Sequence, residues 1–144
     1  MILKAGVKDV RTVTDLALLL WPNHTFVDLE SEFSGLLADP ETVVFLAYHD
    51  GAAVGFAQCQ LRHDYVEGTD SSPVGYLEGI FVKEAQRRCG YARVLLAACE
   101  AWARTMGCTE FASDCELENT ESLQFHLNVG FTEAGRIICF TKQL

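Results

Sequence analysis

Residues 9–21, DVRTVTDLALLLW, carry apolar residues at helical spacing, and Pro22 cannot continue a helix, so the segment ends there. The preceding ILKAG reads as a short strand. A second helix is predicted from Asp28 to Leu37, closed by Asp39-Pro40. The pattern then changes to TVVFLAYHDGAAVGFAQCQLR, two β-rich runs around Asp50-Gly51, a dipeptide that supplies the positive φ angles of a tight hairpin. A polar loop, RHDYVEGTDSSP, leads to Pro73 and to VGYLEGIFV, a strand interrupted at Gly79, where a bulge is expected.

From Gly90 to Met106 the residues Ala92, Leu95, Leu96, Cys99, Trp102, Ala103 and Met106 recur at helical spacing, and Gly107 suits the left-handed position past the last turn. TEFASD reads as a strand, NTESLQFHLNVG as a helix opened by an Asn cap and closed by Gly130, and GRIICFTKQL as a last strand. The order β α α β β β α β α β mixes hairpins with crossover helices. It predicts an α/β fold with a mixed, mostly antiparallel sheet in a single domain, residues 1–144.

Composition narrows the function. With 49% hydrophobic and 22% charged residues, the 144-residue chain has an ordinary soluble balance, and no run approaches the roughly 20 apolar residues of a membrane span. The first residues lack the features of a secretory signal, so a cytoplasmic protein with no membrane contact is expected. A net charge of −9 argues against nucleic acid and weakly favours a cationic partner. Six cysteines without a CxxC pair and four histidines without ligand spacing give no reason to expect a metal site.

One stretch does not fit an ordinary helix. QRRCGYARVLLAACEAW places Arg87, Arg88 and Gly90 before a helix whose first turn already carries about half a positive charge from its aligned peptide dipoles. Cations there make sense if an anion is held by the free amides, with Gly90 allowing close approach; solvated loop arginines are the alternative. Context decides between them. The strand LEGIFV, the pattern Arg87-x-x-Gly90-x-Ala92 with its long apolar helix, and the later N…FH…GF segment together resemble the GNAT superfamily of acyl-CoA-dependent N-acetyltransferases. More narrowly, LLLWPNH, RHDYVEGTDSSPV, YLEGIFV and ASDCELENT are similar to the aminoglycoside 6'-N-acetyltransferases, a bacterial antibiotic-resistance group.

The resemblance implies a GNAT-like fold with a bulged strand followed by a pyrophosphate-binding loop and helix, acetyl-CoA as co-substrate without a metal, a cationic aminoglycoside as acceptor, and a homodimer. It places the acetyl carbonyl at the amide of Ile80 and the pantetheine arm along Ile80, Phe81 and Val82. The diphosphate would lie on Arg87, Arg88, Cys89, Gly90, Tyr91 and Ala92, with further cofactor contacts from Asn119 and His126. It lines the sugar pocket with Trp21, His24 and Tyr65.

Glu78 and Asp114 are the expected catalytic and substrate-binding carboxylates, Glu78 to take the amine proton through a water and Asp114 to hold a neighbouring ammonium or hydroxyl. Solvation or helix capping is the plainer reading of each. Asp70, Ser71 and Ser72 either add polar contacts or shape the turn before Pro73. His126 and Phe140 stand where relatives carry tyrosines, which leaves the general acid unassigned, and Gly135 replaces an acidic residue for which Glu133 is the nearby substitute. The alternatives are an acetyltransferase for another polyamine or a peptide amine, or a non-catalytic module binding CoA or the aminoglycoside.

Overall fold

A computed structural model describes residues 1–144. Its element order is β1 (Ile2–Lys4), α1 (Val10–Leu20), α2 (Phe26–Ala38), β2 (Thr42–His49), β3 (Ala52–Arg62), β4 (Val74–Val82), α3 (Tyr91–Thr105), β5 (Phe111–Ser113) and α4 (Thr120–Asn128). The five strands form one sheet in sequence order, antiparallel except for the parallel β4–β5 pair. This is the mixed, mostly antiparallel sheet that the sequence predicts. No helix is long and apolar enough to cross a membrane.

Alternation along the central strands sends successive residues to opposite faces, and both faces are covered. On β2, Val43 and Ala47 join Ala57 and Cys59 of β3 and Leu77 of β4 beneath Leu95, Leu96 and Cys99 of α3. Val44 and Leu46 face the other way, with Phe56, against Val13, Leu16, Leu29 and Phe33 of α1 and α2. Burial of the Val, Leu and Phe side chains among them contributes about 1.5–3 kcal/mol each.

The hairpin between β2 and β3 turns at Asp50 and Gly51, both at positive φ (49° and 79°), as the dipeptide predicts. Helix α2 begins at Phe26, two residues earlier than expected, because the Thr25 hydroxyl accepts a hydrogen bond from the Asp28 amide at 3.2 Å and caps the helix there.

Two expectations are corrected. The extra residue of the bulge is Glu78, not Gly79: Gln58 pairs with Gly79 and Cys59 with Leu77, leaving Glu78 with no opposite residue. The last strand is absent. Residues 131–144 follow α4 without regular structure, and Ile137, Ile138 and Phe140 are about 80% exposed or more (79%, 81% and 88%). The composition of GRIICFTKQL suits a strand, but a strand requires a neighbouring ladder, and none pairs with it here.

Candidate active site

Strand β4 carries the site, and its bulge divides it. Tyr76 precedes the bulge and Glu78 lies in it; after it, Ile80 pairs with Ala57 and Phe81 with Phe56 as the strand runs toward the α3 loop. The glycine at 79 has a local cause. A Cβ there would stand 2.7 Å from the ring of Trp21, so the indole lies directly on the backbone beside the bulge. Trp21 also meets Phe56 edge-on at 6.1 Å, which seats it at the margin of the core.

Beyond β4, a short turn at Glu84–Gln86 leads into α3. Gly90 sits in the left-handed region at φ 88°, and the space where its side chain would be is open. The amides of residues 88–93 donate to no backbone or side-chain acceptor; the first to be satisfied is Val94, bonded to the Gly90 carbonyl at 3.2 Å. No acidic side chain occupies the first turn of α3. Free amides, a positive dipole end and clear access together suit a phosphate group.

The two arginines differ. Arg88 is exposed at φ 62°. Arg87 donates from Nε to the Val82 carbonyl at 2.9 Å and lies 5.7 Å from the Phe81 ring, so it also fastens the loop to the end of β4. Cys89 is exposed, and the Tyr91 hydroxyl lies 2.7 Å from His49 Nδ1.

On the other side of the bulge, the expected pair of open carboxylates is not what the side chains form. Arg62, at the end of β3, donates from Nε and Nη2 to Glu78 Oε1 at 3.1 and 2.9 Å, and from Nη2 to Oε2 at 3.0 Å. Its guanidinium carbon stands 3.5 Å over the centroid of the Tyr76 ring. The Tyr76 hydroxyl donates to Asp114 Oδ2. Burial pushes the Glu78 carboxyl above the usual carboxylate range, with Arg62 pulling against that shift and Asp114 adding to it. Burial and the bond to Asp114 raise Tyr76 well beyond an ordinary phenol, so it remains a donor.

Arg62 is the residue sequence reasoning missed. Its alternation with Gln60 places it on the Tyr76 face, because Gln60 and Tyr76 are register partners and Arg62 is the diagonal neighbour. Nothing local in LRHD marks that reach.

Of the three expected pocket residues, Trp21 touches the bulge, whereas His24 and Tyr65 are exposed and hydrogen-bond to neither carboxylate. Asp70, Ser71 and Ser72 shape their turn: Glu110 accepts from the Asp70 amide (2.8 Å) and the Ser71 hydroxyl (2.5 Å), and the Ser72 hydroxyl donates to the His63 carbonyl (3.0 Å). Asn119 caps α4, its Oδ1 accepting from the Ser122 amide at 3.0 Å. His126 Nδ1 lies 2.7 Å from the Ser122 carbonyl and must therefore carry hydrogen, while Nε2 lies 2.8 Å from the Ser113 hydroxyl, which is itself 3.3 Å from the Leu77 carbonyl. The ring thus reaches β4 through Ser113. Phe140 lies on the exposed tail, and Glu133 is engaged by Arg136.

The chain is similar to known proteins of one family. Residues 11–131 match the family described as acetyltransferase (GNAT). Aminoglycoside N(6')-acetyltransferase type 1 of Stenotrophomonas maltophilia is 44% identical over 142 residues, covering 98% of this chain and 92% of the relative. The protein of the same name from Serratia marcescens is 42% identical over 130 residues, 90% and 89% of the two chains. Among solved structures, AAC(6')-Iy in complex with the bisubstrate analogue CoA-S-monomethyl-acetylneamine superposes with a TM-score of 0.95 at 39% identity, covering 100% of this chain and 98% of that one. AAC(6')-Ih from Acinetobacter baumannii gives 0.93 at 38% identity, with 100% and 98% coverage.

Proposed function

Given that the chain belongs to the GNAT acetyltransferase family, we propose that it transfers the acetyl group of acetyl-CoA to the 6'-amine of aminoglycoside antibiotics within a ternary complex. The observation that carries this reading is what β4 brings together: the carboxylates Glu78 and Asp114 at its bulge and, past its end, a run of open amides at residues 88–93. The amides of residues 88–93 hold the diphosphate, and the open space at Gly90 lets the cofactor come close. Ile80, Phe81 and Val82 align the pantetheine arm, and the Ile80 amide polarises the acetyl carbonyl. Asn119 and His126 add further contacts to the cofactor.

The co-substrate supplies an acyl group activated as a thioester. The chain's part is to bind a cationic amine, take its proton and leave it neutral to attack. Glu78 accepts that proton through a water, and Asp114 holds a neighbouring ammonium or hydroxyl of the sugar. Trp21, His24 and Tyr65 line the sugar side, where an aromatic face beside an ammonium contributes about 0.5–2 kcal/mol. Acetylation removes one positive charge from the antibiotic, the physical basis of resistance.

The enzyme works as a homodimer in the cytoplasm. The apolar tail around Ile137, Ile138 and Phe140, exposed on a single chain, supports a second copy. Six cysteines, three of them exposed at Cys89, Cys115 and Cys139, fit a reducing compartment.

A thiol-release assay with tobramycin, spermidine and a basic peptide tests the reading. Release with tobramycin alone is expected, and Glu78→Gln is expected to lower kcat by about 10²–10⁴. Release only with spermidine or the peptide overturns the substrate, binding without release overturns the catalysis, and an unchanged kcat and pH profile in Glu78→Gln overturns the base.

A further inference from the structure

We propose that Arg62 is a positioning residue for this reaction: its guanidinium fixes both oxygens of Glu78 and, lying on the Tyr76 ring, joins that carboxylate to Asp114 as one working unit. The inference rests on the reading of Glu78 as the base. Being the extra residue of the bulge, Glu78 has no register partner to hold its side chain. Arg62 supplies the restraint, with contacts of 2.9–3.1 Å to both oxygens and its own plane held 3.5 Å from the Tyr76 centroid. The Tyr76 hydroxyl extends the chain to Asp114. The linked side chains therefore come from β3, from β4 and from just past β5.

This pair is more than a solvated surface bridge. The side chains are 39% (Arg62) and 20% (Glu78) exposed, and only a planar fork engages two carboxylate oxygens while stacking on a ring. The charged and titratable groups beside Glu78 are Arg62 from β3, Tyr76 from its own strand and Asp114 beyond β5. Of these, Arg62 is the sole cation. Its charge favours the ionised form of Glu78, the form a base needs. It also reduces the charge of the Glu78–Asp114 pair by one, so that the site attracts an ammonium without raising the amine's own pKa as far as two bare carboxylates would. Arg62 thereby eases the conflict between holding a cation and deprotonating it.

The test is the pH dependence of kcat/KM for wild type, Arg62→Gln, Arg62→Lys and Glu78→Gln, with CoA binding followed by calorimetry as a check on folding. Arg62→Gln is expected to move the acid limb upward by about one unit or more, since an opposite charge is lost. Arg62→Lys is expected to restore the limb, because it keeps the charge, but to leave kcat about tenfold or more below wild type, because it lacks the fork. An Arg62→Gln enzyme that binds CoA and keeps the wild-type acid limb overturns the proposal, as does wild-type kcat in Arg62→Lys; the lysine variant decides alone if the glutamine variant fails to fold. If Glu78→Gln removes the acid limb while Arg62→Gln leaves it in place, only the role of Arg62 falls. If Glu78→Gln leaves it unmoved, the base reading falls with it.

Discussion

The chain up to Cys108 and the chain after it are built differently. Every one of the 29 buried residues lies between Ala5 and Cys108; none follows. The first part has strands β1–β4 with helices packed on both faces. The second has a three-residue strand, a helix without a buried residue, and an irregular apolar tail. Yet the second part supplies Asp114, Ser113, Asn119 and His126. The lesson is that the later groups proposed for the site contribute nothing fully buried, and are held to the scaffold by the β4–β5 ladder, by Phe111, Phe125 and Phe131 packed against the core, and by the polar links Tyr76–Asp114 and His126–Ser113–Leu77.

That contrast can be tested by its unequal response to substitution. The largest effect belongs to the scaffold: Leu95→Ala, at a fully buried position of α3, is expected to cost about 2–5 kcal/mol in urea unfolding. A loss under 1 kcal/mol would mean that the core is not where stability resides. Asn119→Ala removes the α4 cap and is expected to cost about 1 kcal/mol, with faster amide exchange confined to α4. Exchange spreading into β4 would erase the boundary. Smallest is the tail: Ile137→Asp with Ile138→Asp should change the unfolding free energy of the monomer by less than about 0.5 kcal/mol while abolishing self-association in sedimentation velocity. A loss above 2 kcal/mol in the monomer would place the tail within its own core.

Much of the scaffold was legible in the sequence because its signals are local. Asp50-Gly51 announces the hairpin, and Gly90 and Gly107, both at φ 88°, bracket α3. The loop amides were legible through the same glycine. The acidic cluster was legible only in part: Glu78 and Asp114 stand out as carboxylates, but Arg62 is 16 residues from its partner, and a one-residue bulge decides which face each side chain shares. The bulge fell one residue from where Gly79 suggested, since the glycine answers to Trp21 rather than to the extra residue itself. The terminal strand failed for a different reason. Strand-like composition states what a segment tolerates, and pairing depends on an edge that the segment does not encode.

The contact between Trp21 and Gly79 gives the molecule a built-in optical gauge. The chain has two tryptophans, and Trp102 lies on α3. With Trp102→Phe as background, indole emission would come solely from a ring resting on the strand kink, so its colour and quenching would register ligand arrival without any attached dye.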